Sequence, residues 1–256
     1  MPRAGDARGS RCPNLAAWPG LELRSPLTGG ARNVVYRADR RGEQFVVRRS
    51  GRSQAALEWE LDLIATVAAA GVRAPTAVAT ADGRRHDHGI VVHRFIDGVP
   101  PRSRRDWLQT VIALGVVHEA TASWPQRPGF ASARDLMSQR RGGDVDLDAM
   151  PTTAVDAVRA SWRPVLDGPQ CVIHGDLGQG NVLVAEDDVA LIDWDEARVD
   201  VPAFDFAHLP ENIPVPGQWG RDTLVTAGVA WETATCWIAE PDYAARRLAE
   251  LQARIR

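Results

Sequence analysis

The stretch CVIHGDLGQGNVLVAEDDVALIDWDEARVDVPAFDFA, Cys171–Ala207, decides the reading of this chain. An apolar run, Val172-Ile173, delivers His174-Gly175-Asp176. Glycines at 175, 178 and 180 let the backbone turn sharply there. Asn181 follows five residues after Asp176. A short strand, Val182–Val184, a turn at Glu186-Asp187-Asp188 and a second strand, Val189–Ile192, then lead to Asp193. Such a hairpin carries Asn181 and Asp193 toward each other and toward Asp176. Two carboxylates and an amide on one loop face offer hard oxygen ligands for a cation. An acid left off the metal can accept a hydroxyl proton.

This order (Asp, Asn five residues on, a metal-binding Asp after a hairpin) is the catalytic-loop arrangement of protein-kinase-like folds. Here the loop reads His-Gly-Asp, and Asp193-Trp194 stands where kinases carry Asp-Phe-Gly. HGDLGQGNVLV with LIDWDEARVDVPAFDFA closely resembles the aminoglycoside phosphotransferase and choline kinase-type family of small-molecule kinases. The resemblance implies an α+β, protein-kinase-like two-lobed fold, with a small β-rich N-lobe and a larger helical C-lobe. It implies transfer of the γ-phosphoryl of ATP (or GTP) to a hydroxyl of a small metabolite or antibiotic. Asp176 is then the catalytic base, Asn181 and Asp193 the Mg ligands, and His174 a brace of the catalytic loop that keeps its backbone in place. Asp205, in Phe204-Asp205-Phe206, resembles an aspartate that supports the same loop.

The N-terminal half carries the nucleotide-binding expectations. Gly29 and Gly30, in Thr28–Arg32, resemble a short phosphate-covering turn. Gln44–Arg49 reads as a strand that places Arg48 two positions after a buried-face Val46, where the family carries lysine or arginine. Arg49 falls on the opposite face. A helix from Ser53 to about Ala70, stopped by Gly71, carries Glu60, the expected partner of Arg48. Glu58 is the competing choice. Ile90–Phe95 resembles the hinge strand whose backbone meets the adenine, so His93 and Phe95 are expected at the nucleotide through their main chain.

Outside these motifs the chain divides by composition. Residues 1–20 read as a loose leader. Residues 21–96 read as the N-lobe, with strands at Leu21–Arg24, Asn33–Ala38, Gln44–Arg49, Ala77–Thr80 and His88–Ile96 and a turn over Ser25–Gly30. Asp97–Pro101 is the hinge. Residues 102–256 form the C-lobe, with helices over Arg104–Ser123, Thr152–Leu166, Asp222–Ile238 and Pro241–Arg256. Asp195, Glu196, Asp200, Glu211, Asp222 and Glu232 are candidates to meet a cationic acceptor, or are solvated acids. Trp219, Trp231 and Trp237 are core or pocket-wall residues.

Bulk composition narrows the alternatives. The 256 residues suffice for a sizeable core, and 45% hydrophobic with 25% charged residues is a globular composition. All 30 basic Lys+Arg positions are arginine, which excludes Schiff-base and Walker-lysine chemistry. A net charge of −3 argues against a nucleic-acid partner. Three scattered cysteines, no apolar leader and no membrane-length run point to a cytoplasmic protein with no membrane partner. The oligomeric state is not legible. A non-catalytic, nucleotide-binding kinase relative is the alternative, motivated by the thin glycine turn and by arginine in place of lysine. Asp176, Asn181 and Asp193 weigh against it.

Overall fold

The computed structural model describes residues 12–27, 35–186 and 188–256. The described residues pack as two units. One contains the chain up to Leu57 with Thr76–Phe95, and the other contains Glu58–Pro75 with Ile96–Arg256.

The first unit is built on four antiparallel strands, β1 (Glu22–Leu27), β2 (Val35–Arg40), β3 (Glu43–Arg49) and β4 (Ile90–Arg94), in the order β1-β2-β3-β4. Arg41 and Gly42, both at positive φ, close the β2–β3 hairpin. That is the two-residue turn whose twist suits paired strands. Strand β1 runs through Ser25-Pro26, where a turn is expected; Pro26 pairs with Tyr36 beyond a register shift. An edge strand tolerates proline because one side of its ladder goes unpaired. Residues 77–80, expected as a strand, make only an isolated bridge, Ala77 to His93, with Val78 N–H donating to the Val92 carbonyl. Trp18, Leu21, Phe45, Val47, Ile90 and Val92 fill the core of this unit. Residues 12–20 are therefore not a loose leader: Trp18 is buried, and its indole donates to the Val78 carbonyl at 2.8 Å.

Helix α1 (Gln54–Ala69) starts at Ser53, whose Oγ accepts from Ala56 N–H, and stops at Gly71 with φ +95°. The division between units falls inside it. Trp59, Leu63, Ile64 and Val67 recur at helical spacing and enter the core of the second unit, so Glu58–Pro75 packs there rather than with the sheet. The expected hinge is likewise part of the second unit. Val99 exchanges backbone hydrogen bonds with Val184, and a Cβ on Gly98 would stand 3.0 Å from Leu183.

Helix α2 (Arg104–Ala120) opens with a reciprocal Ser103–Asp106 capping box and buries Trp107, Thr110, Leu114 and Val117. A short ribbon, β5 (Arg141–Gly142) with β6 (Val145–Asp146), leads to α3 (Thr152–Trp162). That helix ends four residues earlier than expected. Its last turn, Arg163–Val165, tightens to 3-10 around Pro164. Strand β7 (Cys171–Ile173) pairs antiparallel with β10 (Arg198–Asp200), and between them lies the hairpin of β8 (Val182–Ala185) and β9 (Asp188–Leu191). A single-turn α4 (Ala203–Phe206) and helices α5 (Arg221–Thr235) and α6 (Pro241–Arg254) complete the unit. Among the described residues, no helix is long and apolar enough to cross a membrane.

Candidate active site

Pairing of β7 with β10 brings the two ends of the Cys171–Ala207 stretch together and throws His174–Asn181 out as a loop. Gly175 sits at φ +82°, and a Cβ there would lie 2.6 Å from the Glu196 carbonyl oxygen. No side chain fits, so the loop reads His-Gly-Asp where protein kinases carry His-Arg-Asp.

Two side chains at the loop tip meet, and the hairpin brings a third residue near them. Asn181 Nδ2 donates to the Asp176 carbonyl at 2.8 Å and to Asp176 Oδ2 at 3.0 Å. The Ile192 N–H donates to the Asn181 carbonyl at 2.9 Å, which sets Asp193 beside Asn181 across the mouth of the hairpin. Asp193 is exposed and left-handed, with φ +62° and ψ +68°. Aspartate is among the few non-glycine residues that visit this region, at a small cost that its surroundings offset. Asp176, too, faces solvent. This donor set, two exposed carboxylates and an amide whose Nδ2 is already engaged, leaves oxygen atoms suited to a hard divalent cation.

The loop is held from beneath. Asp205 is fully buried; its Oδ2 accepts from the His174 N–H at 3.0 Å and its Oδ1 from the Gly175 N–H at 2.9 Å. His118 Nε2 reaches the same Oδ2 at 2.9 Å. Burial pushes the Asp205 carboxyl up, but the hydrogen bond and charge of His118, with His174 and the Gly175 N–H, bring it below its ordinary value. His174 is buried, with Nε2 2.9 Å from the Ile192 carbonyl oxygen and its ring 4.8 Å from that of Trp194. It holds the loop to Ile192, between the end of β9 and Asp193. His118, readable from sequence only as a core or interface histidine, proves to be a partner of Asp205.

In the first unit, Arg48 is buried on β3, opposite Val35 and Val91. The core-facing residues of that strand are Phe45 and Val47; Val46, expected on the buried face, is only half-buried and shares the Arg48 side. Arg49 is exposed. His93 is buried and pairs with Val46, and the Phe95 N–H donates to the Gln44 carbonyl at 3.2 Å, so this donor already has a partner in the sheet. The turn with Gly29 and Gly30 lies outside the described residues.

In the second unit, Glu60 is 1% exposed, against half-buried Glu58, and its Oε2 lies 2.6 Å from Arg127 Nη2. Sequence reasoning missed Arg127, because nothing in the local pattern WPQRPGF separates a buried arginine from a surface one. Two candidate acceptor-binding acids are neutralised within the protein. Asp200 pairs with Arg198 at 3.0 Å, both fully buried, and Glu232 takes Arg247 and Tyr243 at 2.5 Å each. Trp231 is core, with the Arg198 guanidinium 3.3 Å from its ring centre.

The profile of the phosphotransferase enzyme family (APH) matches residues 24–249, and the chain belongs to that family. Membership makes it a phosphotransferase. No curated protein matches the sequence significantly. Among solved structures, the chain is similar to the microcompartment-associated aminopropanol kinase, at 19% identity and TM-score 0.63, over 94% of this chain and 93% of that one. It is similar to the amicoumacin kinase hAmiN, solved with AMP-PNP and Ca²⁺, at 14% identity and TM-score 0.64 over 91% and 88%. Aminoglycoside phosphotransferase APH(4)-Ia matches at 14% identity and TM-score 0.66 over 92% and 94%. These likenesses establish a shared fold.

Proposed function

We propose that the protein transfers the γ-phosphoryl group of ATP to a hydroxyl of a small molecule, with Asp176 as catalytic base. The observation that carries this reading is the bond between the Asp176 and Asn181 side chains, with the left-handed Asp193 one residue beyond the backbone bond from Ile192 to Asn181. Asp176 Oδ2 accepts from Asn181 Nδ2, which fixes the carboxylate plane and leaves Oδ1 to take the acceptor's proton. Asn181 and Asp193 would hold Mg²⁺, which when bound supplies charge neutralisation of the nucleotide phosphates. Asp205 keeps the His174 and Gly175 amides fixed, so the base does not drift from its acceptor. Arg48 is the group assigned to grip the phosphates, with Glu60 as the carboxylate of its expected pair and Gly29 and Gly30 in the covering turn, and the main chain near His93 and Phe95 is assigned to the nucleotide base. Arginine stays charged and can grip phosphate oxygens through two donors.

The named relatives act on or bind alcohols such as aminopropanol and hygromycin B, and supply the first acceptors to try. The test is ADP release with ATP, Mg²⁺ and a panel of amino alcohols, sugars and aminoglycosides. Asp176→Asn is expected to lower turnover by about 10²–10⁴-fold, the usual contribution of a general base, with nucleotide affinity unchanged. Full turnover in that variant would remove Asp176 from the chemistry. Nucleotide binding without turnover in the wild type, across the whole panel, would favour the non-catalytic alternative.

A further inference from the structure

Between α2 and the β5–β6 ribbon, Pro125-Gln126-Arg127 ties three parts of the second unit together. Trp59 on α1 donates its indole N–H to the Pro125 carbonyl at 2.8 Å. The Gln126 side chain mimics a strand against Val199: its Nε2 donates to the Val199 carbonyl at 2.8 Å, and its Oε1 accepts the Val199 N–H at 3.0 Å. Arg127 is fully buried. Its Nη2 meets Glu60 Oε2 at 2.6 Å. Its Nη1 donates to the carbonyls of Asp195, Ala197 and Trp194 at 2.8, 3.2 and 3.3 Å. The rings of Phe130 and Trp59 flank the guanidinium at 4.6 and 5.6 Å.

One planar cation thus pins three carbonyls of the turn that directly follows Asp193, and clamps the α1 carboxylate to that turn. We propose that Arg127 is a positioning residue for the divalent cation: it imposes the left-handed backbone at Asp193 and fixes Glu60 relative to it. The turn Trp194–Glu196 is a single 3-10 turn with no side-chain cap at its start, so it has little of its own to hold Asp193 at φ +62°. The convergence of three carbonyls on one buried charge supplies what the turn lacks. Lysine could not replace it, because a single ammonium on a flexible stem cannot span a carboxylate on one side and three carbonyls on the other.

The inference rests on the assignment of Asp193 as a cation ligand. The experiment is Mn²⁺ titration of the AMP-PNP complex, followed by electron paramagnetic resonance, with AMP-PNP affinity in EDTA as the second readout. Arg127→Lys is expected to raise the Mn²⁺ dissociation constant about tenfold and leave metal-free AMP-PNP affinity within about twofold. An unchanged Mn²⁺ constant, or an equal loss in both readouts, overturns the role of Arg127. Failure of the wild-type complex to bind Mn²⁺ overturns the assignment of Asp193 instead. If Arg127→Lys does not fold, the comparison moves to Glu60→Gln, which leaves the Arg127 charge in place, against Glu60→Gln/Arg127→Gln, which removes that charge without stranding a carboxylate. The second substitution is then expected to cost the same tenfold in Mn²⁺ affinity, and no further loss overturns the proposal.

Discussion

Gly175 and Asp193 both adopt left-handed backbone, for opposite reasons. Gly175 does so because the space for a side chain is taken by the Glu196 carbonyl and by Arg198 Nη1, 2.8 Å from where a Cβ would be. Asp193 does so although it carries a side chain, at the start of the turn whose carbonyls Arg127 holds. Gly175→Ala therefore meets two costs, roughly 1–2 kcal/mol for the left-handed conformation and the displacement of a backbone carbonyl. Urea denaturation is expected to show a loss of at least that size, and phosphorylation is expected to fall with it, because Asp176 is the next residue. An alanine variant with wild-type stability would mean that the loop tolerates another path.

At the level of elements, Asp205 is the joint. It sits on α4, takes His118 from α2, and accepts the two amides that follow β7. Its carboxyl lies below the ordinary aspartate value in the folded protein, so it binds its proton less readily there than in the unfolded chain. The stability it contributes is complete above the ordinary value of ~3.9 and is lost as pH falls through that value toward the folded one. Asp205→Asn is expected to cost about 3 kcal/mol or more at pH 7, the usual penalty for breaking a buried pair. The difference from wild type should shrink as pH drops below ~4. Denaturation midpoints measured from pH 3 to 7 check this, and a pH-independent difference would contradict it.

For the whole molecule, the two hydrophobic clusters differ in size. Among the described residues, the sheet unit relies on a small buried cluster that includes Trp18 and Phe45, while the second unit gathers most of the apolar side chains. Phe45→Ala removes the largest apolar side chain of the sheet core after Trp18, at a cost of about 3–5 kcal/mol. Calorimetry of that variant is expected to show the sheet unit melting before the helical one. A single undivided transition, shifted as a whole, would show that the two unfold together.

The Cys171–Ala207 stretch was legible because everything it needs is local. Its hairpin, its glycines and the Asp176–Asn181 spacing are encoded within a few residues, so strand periodicity and turn chemistry suffice to bring Asn181 opposite Ile192, the residue before Asp193. The same holds for α1, whose Ser53 start and Gly71 stop are sequence features. What the chain order concealed were contacts made across long separations. Arg127 reaches Glu60 and the turn after Asp193 over more than sixty residues in each direction. His118 reaches Asp205 over 87. Pro26 reads as a turn residue until an edge-strand neighbour is known, and Trp18 reads as leader until Val78 is placed beside it. By itself, the sequence determined the family and the course of the His174–Asn181 loop with its hairpin, because these depend on residue identity and short spacing. Tertiary structure alone decided which charges are buried and paired, where the units divide, and what holds the loop still. Those depend on which distant side chains share the same dry volume, and local pattern does not record that.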